Sequence, residues 1–198
     1  MSKARDLEQH LERVEKQLRL CQQVSRYLTR PVQLYDALQS IVGMIAEFMQ
    51  SDSCLLYLIS RGELVLCAAK GGNPGAVGEV RLRLDEGLTG WVARERRLLS
   101  LSREAYHDPR FKLFRELPED TYEAFLSAPI LCRNRVLGVI NLQHRPVHAH
   151  SGDEMDLLTT VGEQIGGLVA AASLDQTALE RTDWAELALA SRIVAQPS

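Results

Sequence analysis

No stretch of the 198-residue chain approaches the ~20 consecutive apolar positions of a membrane-spanning helix. The opening residues, MSKARDLEQHLERVEKQ, are charged throughout and do not form a secretory signal, so a cytoplasmic protein with no membrane partner is expected. Excess positive charge is also lacking. The net charge is −3 and the pI near 6.0, so no global field recruits nucleic acid, and none is expected as a partner. The one dense basic run, RERR at 94–97, reads as a solvated helix end. Cysteine is scarce. Cys21, Cys54, Cys67 and Cys132 form no C-x-x-C pair and stand in apolar periodic contexts, so they read as reduced core or seam residues rather than a disulfide or zinc framework. What remains is an ordinary globular composition, 45% hydrophobic and 25% charged, long enough to bury a core without covalent or metal staples.

The chain opens with a seam. Leu7, Leu11, Val14, Leu18, Cys21 and Leu28 alternate by four and three, Ser25 filling the missing place, with charges on the other faces. Three heptads predict a helix about 33 Å long. Such a helix is marginal alone and needs a partner, from a second copy or from its own domain. The narrow stripe favours a homodimer. Pro31 breaks the pattern, and a second stripe (Leu34, Leu38, Ile41, Ile45, Phe48) predicts another helix.

Strand signals follow. CLLYLIS (54–60) and ELVLCAA (63–69) flank Arg61–Gly62, a hairpin turn. KGGNPG (70–75) is a loop, and EVRLRL (79–84) alternates as a half-buried strand. DEGLTGWVARERR (85–97) runs from acidic to basic, matching a helix dipole. LLSLS (98–102), FLSAPILC (125–132) and VLGVINLQ (136–143) are further strands, the last two joined through Arg133–Asn134–Arg135. SGDE (151–154) is a capping box opening a long helix, whose Gly162, Gly166 and Gly167 each cost about 1 kcal/mol against alanine and call for a close neighbour. The tail, 174–198, is expected to continue helical through Leu179, Trp184 and Leu187. Three parts result: a coiled-coil-like helix (1–30), a globular domain (31–173) and a helical tail (174–198). The fold class is α+β, with helices outside a mostly antiparallel sheet.

AYHDPRFKLF (105–114) is too broken by Pro109 for a core helix and too aromatic for an idle loop. It suits a catalytic loop, a nucleic-acid platform or the wall of a ligand pocket.

Taken together, EGLTGWVARERRLLSLSREAYHDPRF, FLSAPILCRNRVLGVINLQHR and SGDEMDLL resemble a GAF domain, the small-molecule sensory module of signalling proteins. The similarity is closest in flavour to the N-terminal GAF domains of nitrogen-type phosphotransferase enzyme I and of nitrogen-fixation activators. It implies a six-stranded antiparallel sheet with a dimer-forming helix layer on one face. Over the other face it implies a ligand pocket, roofed in part by 105–114 with Tyr106, Phe111 and Phe114, while Asp108–Pro109 starts a turn. The implied lining comprises Cys54, Leu56 and Leu58 from the first strand and Ala69 and Lys70 from the second. Leu88, Thr89, Gly90 and Trp91 start the middle helix, and Asp108, Phe125 and Asn141 complete the set. Trp91 reads equally as core packing.

Within that family the cyclic-nucleotide constellation N-K…F-x-x-x-D-E is not kept. Asn141 and Asp153–Glu154 are present, but Gln143 and His144 follow the asparagine and His150 stands about where the phenylalanine would be. No bilin signature occurs, and the cysteines fall in strands rather than in the loop that a methionine-sulfoxide reductase needs. His144, His148 and His150 are spaced H-x-x-x-H-x-H, but their loop holds no acidic or cysteine ligand, and no metal is expected. His107–Asp108 has no nucleophile nearby. The expected function is a non-catalytic sensory domain that dimerises through terminal helices and passes the state of an unidentified metabolite to a downstream partner. No cofactor is named. A ligand-free adaptor is the alternative, and a thiol-dependent methionine-sulfoxide reductase the third reading.

Overall fold

The computed structural model describes residues 2–27, 29–30, 32–71, 74–111 and 122–175. Helices α1 (Ser2–Tyr27) and α2 (Leu34–Phe48) precede the hairpin β1 (Ser53–Ser60) and β2 (Glu63–Lys70), then β3 (Arg81–Arg83). Helix α3 (Gly87–Glu95) leads to β4 (Leu99–Leu101) and a 3-10 turn at Ala105–His107. The hairpin β5 (Ala124–Cys132) and β6 (Arg135–His144) and the long α4 (Gly152–Asp175) complete the order.

The strands form one sheet in the order β3-β2-β1-β6-β5-β4, with every neighbouring pair antiparallel. The two hairpin turns follow from their residues. Arg61 and Gly62 have φ of 50° and 84°, and Arg133 and Asn134 have 48° and 61°. Two successive positive φ values match the right-handed twist of the flanking strands.

Alternation along each strand divides the core in two. On one face Cys54, Leu56, Leu58, Leu126, Ala128, Ile140 and Leu142 pack with α2, α4 and the end of α1. On the other, Leu55, Tyr57, Leu64, Leu66, Phe125 and Val139 pack with α3 and the segment around Ala105. The sheet is therefore covered by helix on both sides, three helices against one.

Helix α4 starts as its sequence requires: the Ser151 N–H donates to Glu154 Oε2 at 2.6 Å and the Glu154 N–H to Ser151 Oγ at 3.3 Å, a reciprocal capping box. Two of its three interior glycines touch the sheet. A Cβ on Gly162 would meet the Pro129 carbonyl at 3.0 Å, and one on Gly166 would collide with that of Leu131. Gly167 differs: a Cβ there meets nothing within 4 Å.

The N-terminal seam splits. Leu20 and Val24 are buried against the domain, and Gln164 Nε2 donates to Ser25 Oγ (2.9 Å) and the Cys21 carbonyl (3.3 Å). Further out, Leu7, Leu11, Val14 and Leu18 are 69%, 58%, 42% and 57% exposed. Half the helix thus lies on its own domain, and the outer half carries an uncovered apolar stripe. Leu28 and the tail beyond Asp175 lie outside the described residues.

Candidate functional site

On the α3 face, antiparallel pairing sets one transverse row across five strands: Leu99 opposite Ser127, Ser127 opposite Asn141, Asn141 opposite Leu55, and Leu55 opposite Ala69. Two members of this row are polar in an otherwise apolar layer. Asn141 and Ser127 are 1% and 0% exposed, so each must find its partners inside the protein. Ser127 Oγ donates to Asn141 Oδ1 at 2.6 Å, and Asn141 Nδ2 donates to Thr89 Oγ1 at 2.8 Å. Thr89 is itself buried, in the first turn of α3. The chain Ser127–Asn141–Thr89 thus joins two central strands to the helix above them, and each bond polarises the next in a dry setting.

The segment 104–111 is strapped across this face by two carboxylates, Glu123 and Asp108. Glu104 stands at φ 50°, and the Glu123 carboxylate accepts from its N–H at 2.9 Å and from the Tyr106 hydroxyl at 3.1 Å. That second bond, made to the neutral phenol, pushes the Tyr106 hydroxyl above its ordinary titration range. Asp108 then accepts from the Arg110 N–H (2.9 Å) and grips its guanidinium at 2.8 and 2.6 Å. The arginine holds the Asp108 carboxyl below the usual carboxylate range. The Phe111 N–H closes the turn onto the Asp108 carbonyl at 2.8 Å. Arg110, so fixed, lies 4.6 Å over the Trp91 ring, a cation–π contact that pins the strap to α3.

The structure brings Leu88, Thr89, Trp91, Phe111, Phe125 and Asn141 to this face, with Ala69 at its border. It does not bring all the expected residues. Cys54, Leu56 and Leu58 point to the opposite face, into the helix layer, and Leu55, Tyr57 and Ile59 take their place toward α3. Lys70 is exposed at the end of β2. The backbone of Ala69 is taken up by Gln39, which donates to its carbonyl at 2.8 Å and accepts from its N–H at 3.2 Å. Gly90 serves close packing rather than ligand approach, since a Cβ there would meet the Arg83 carbonyl at 2.7 Å. Tyr106 turns its hydroxyl to Glu123, and Asp108 spends its carboxylate on Arg110. Lys112, Leu113 and Phe114 lie outside the described residues. Ser127, Arg110 and Glu123 were not expected. Ser127 is the one polar side chain on the inward positions of β5, and that was the available signal.

An open groove of about 580 Å³ lies elsewhere on the α3 side, between the two hairpin turns and the end of α3. It is lined by Ile59, Leu84, Ala93 and Val136 together with Arg83, Arg94, Arg96 and Arg135. The 105–111 strap takes no part in it. From Val136 to Asn141 is five strand residues, on the order of 15 Å, so the groove and the polar row are separate places.

Two of the four cysteines, Cys54 and Cys67, are poorly placed for thiol chemistry. Burial alone drives the Cys54 thiol far above its ordinary range and raises that of Cys67 to about 12. The thiolate is the reactive form, and neither residue reaches it.

A GAF domain family model matches residues 33–169. The chain is 29% identical over 158 residues to an Escherichia coli protein described as a phosphoenolpyruvate-dependent phosphotransferase system, covering 79% of this chain and 21% of that one. It therefore spans about a fifth of that relative's length. The crystal structure of the GAF domain from an Acinetobacter phosphoenolpyruvate-protein phosphotransferase superposes with a TM-score of 0.74 at 30% identity, covering 84% of this chain and 98% of that one. The corresponding GAF domain from Coxiella burnetii gives 0.76 at 28% identity, covering 83% and 98%. With the family model over most of its length and the six-stranded sheet shared with these structures, the chain belongs to the GAF domain family.

Proposed function

We propose that the chain is a regulatory sensory domain that holds a small polar metabolite on the α3 face and dimerises through its terminal helices. The supporting observation is the buried Ser127–Asn141–Thr89 chain, set beside Phe111 and Phe125 under a short helix. An apolar layer that only packs has no use for three hydroxyl and amide groups, each costly to bury unpaired. A ligand amide or carboxylate could exchange into that chain when α3 or the strap shifts, one ordered partner replacing another. Binding would favour one position of α3 over the sheet, a population shift that the strands carry to the helix layer behind. The exposed stripe Leu7–Leu18 gives that layer a surface for a second copy. The phosphotransferase relatives make a regulatory role in nitrogen-type phosphotransfer signalling the natural setting.

A thermal-shift screen of the full chain against amino acids, keto acids and nucleotides tests this. A metabolite at a hundred times its Kd adds about 2.7 kcal/mol, or roughly 5–10 °C in Tm at this chain length. The expected shift is lost in Asn141→Leu and kept in Arg96→Gln with Arg135→Gln. Loss in the arginine variant alone would move the seat to the groove and refute the α3 reading. No shift with any metabolite would leave a ligand-free dimerisation adaptor. A methionine-sulfoxide reductase activity that disappears when the cysteines are replaced would establish the thiol enzyme.

A further inference from the structure

Three of the chain's five histidines converge where β6 ends, behind the sheet and away from the proposed metabolite seat. His144 is the last residue of β6, pairs with Ala124, and is buried. The loop that follows returns to β4. The His148 N–H donates to the Ser102 carbonyl at 3.0 Å, and His150 Nδ1 meets Ser100 Oγ at 3.1 Å. One nitrogen from each of His144, His148 and His150 lies within 4.8 Å of the other two. The sequence expectation placed no acidic residue in this loop, but the fold supplies one from the next helix. Glu154 Oε1 sits 3.0 Å from His148 Nε2 while its other oxygen holds the α4 cap.

Two of these rings are incompletely used. The Nε2 atoms of His144 and His150 are buried and have no hydrogen-bond partner, which a folded protein seldom tolerates. In the His150 tautomer whose Nδ1 donates to the Ser100 hydroxyl, Nε2 carries a lone pair turned away from that hydroxyl. An imidazole held on one nitrogen by an outer partner and bare on the other is the usual posture of a metal-binding histidine.

We propose that His144, His148 and His150 form a binding site for a divalent transition-metal ion of the zinc class, with Glu154 as the fourth ligand. Zinc takes imidazole and carboxylate donors tetrahedrally at about 2.0–2.2 Å, which places donor atoms about 3.3 Å apart. The three nitrogens must draw in by an ångström or so. His148 and His150, on a loop without regular secondary structure, can do this by ring rotation, unstacking His148 from His144, whose centroids are now 4.2 Å apart. The ion would tie the end of β6, the loop beside β4 and the first turn of α4 into one joint. Its place is at the root of α4, in the layer behind the sheet.

The test uses the full chain stripped with a chelator, titrated with Zn²⁺ by calorimetry and with Co²⁺ by visible absorption, Mg²⁺ serving as control. Saturation at one equivalent per chain is expected, with cobalt d–d bands and no thiolate charge-transfer band. His148→Gln and His150→Gln should each weaken binding about tenfold or more, and His10→Gln, on exposed α1, should leave it unchanged. The His148 side chain is 33% exposed, and its variant carries the test if His150→Gln fails to fold. Absent saturable uptake, an equal affinity in His148→Gln, or a thiolate band would each overturn the assignment.

Discussion

Gly166 and Gly167 are neighbours in one helix, and alanine should act on them with opposite signs. Intrinsic helix propensity favours alanine at both by about 0.8–1.0 kcal/mol. At Gly167 nothing lies within 4 Å of the added carbon, so this gain stands alone: about 1 kcal/mol of stability, or roughly 2–4 °C in Tm for a chain of this length. At Gly166 the same carbon enters the Leu131 carbonyl and crowds the Cys132 N–H at 3.4 Å. Backbone of a central hairpin cannot step aside as a flexible side chain can, so α4 must lift from β5. Such overpacking costs typically about 1–3 kcal/mol, and more where the obstacle is main chain. The net effect of Gly166→Ala is a loss of about 2 kcal/mol or more. Gly162, with the Pro129 carbonyl at 3.0 Å, should fall between. Urea denaturation of the three variants, read at constant m-value, measures all of this. A stabilised Gly166→Ala, or losses of equal size at 166 and 167, would refute the account of α4 as a helix seated on strand carbonyls. A destabilised Gly167→Ala would mean that this side of α4 is covered by something outside the single chain, a second copy above all.

Dimerisation through α1 predicts that Leu11→Glu with Leu18→Glu halves the mass seen in sedimentation while the domain keeps its melting behaviour; an unchanged mass would place the contact elsewhere. The Asp108–Arg110 pair predicts a pH-dependent increment. The folded carboxyl lies below its ordinary 3.8, so its contribution is complete above about pH 5 and disappears as pH falls through the lowered value. Wild type and Asp108→Asn should therefore differ at pH 7 and converge near pH 2–3; a constant gap would mean that the charge is not the cause. A thiol reagent should leave Cys54 and Cys67 unmodified in the native protein and label all four cysteines in denaturant, checked by mass spectrometry; rapid native labelling of Cys54 would contradict its burial.

The elements were legible because most carry a clear period or a clear stop. Pro31, the Arg61–Gly62 and Arg133–Asn134 turns and the SGDE box each mark a boundary that the structure keeps. The face of β1 was not legible. Its eight residues are buried on both sides of the sheet except Ile59, so alternation has no polar phase to read, and Cys54, Leu56 and Leu58 were assigned to the wrong layer. Ser127 was hidden by register. Continuing Cys132–Arg135 and Leu131–Val136 without interruption would set Ser127 opposite Ile140. The irregularity between Ile130 and Leu131 moves it one place, opposite Asn141, and a bulge of that kind leaves no mark in composition. The histidine cluster was half legible: the spacing was visible, but Glu154 and Ser100 join it only through the fold.

Asn141 and His144 lie on opposite faces of β6, and this bears on how the proposed ligand response could reach the helix layer. In β6, Asn141 points to α3 and His144 toward the helix layer, three residues apart; in β5, Ser127 and Ala124 oppose them. A pleated strand at close packing density transmits displacement rather than absorbing it. Under the proposed function, movement of α3 that repositions Asn141 would be felt at the end of β6, beside the His148–Glu154 contact at the start of α4. The same contact would stiffen on metal binding. An ion there would set how much of the α3 movement reaches α4, coupling two sites with no ligand in common.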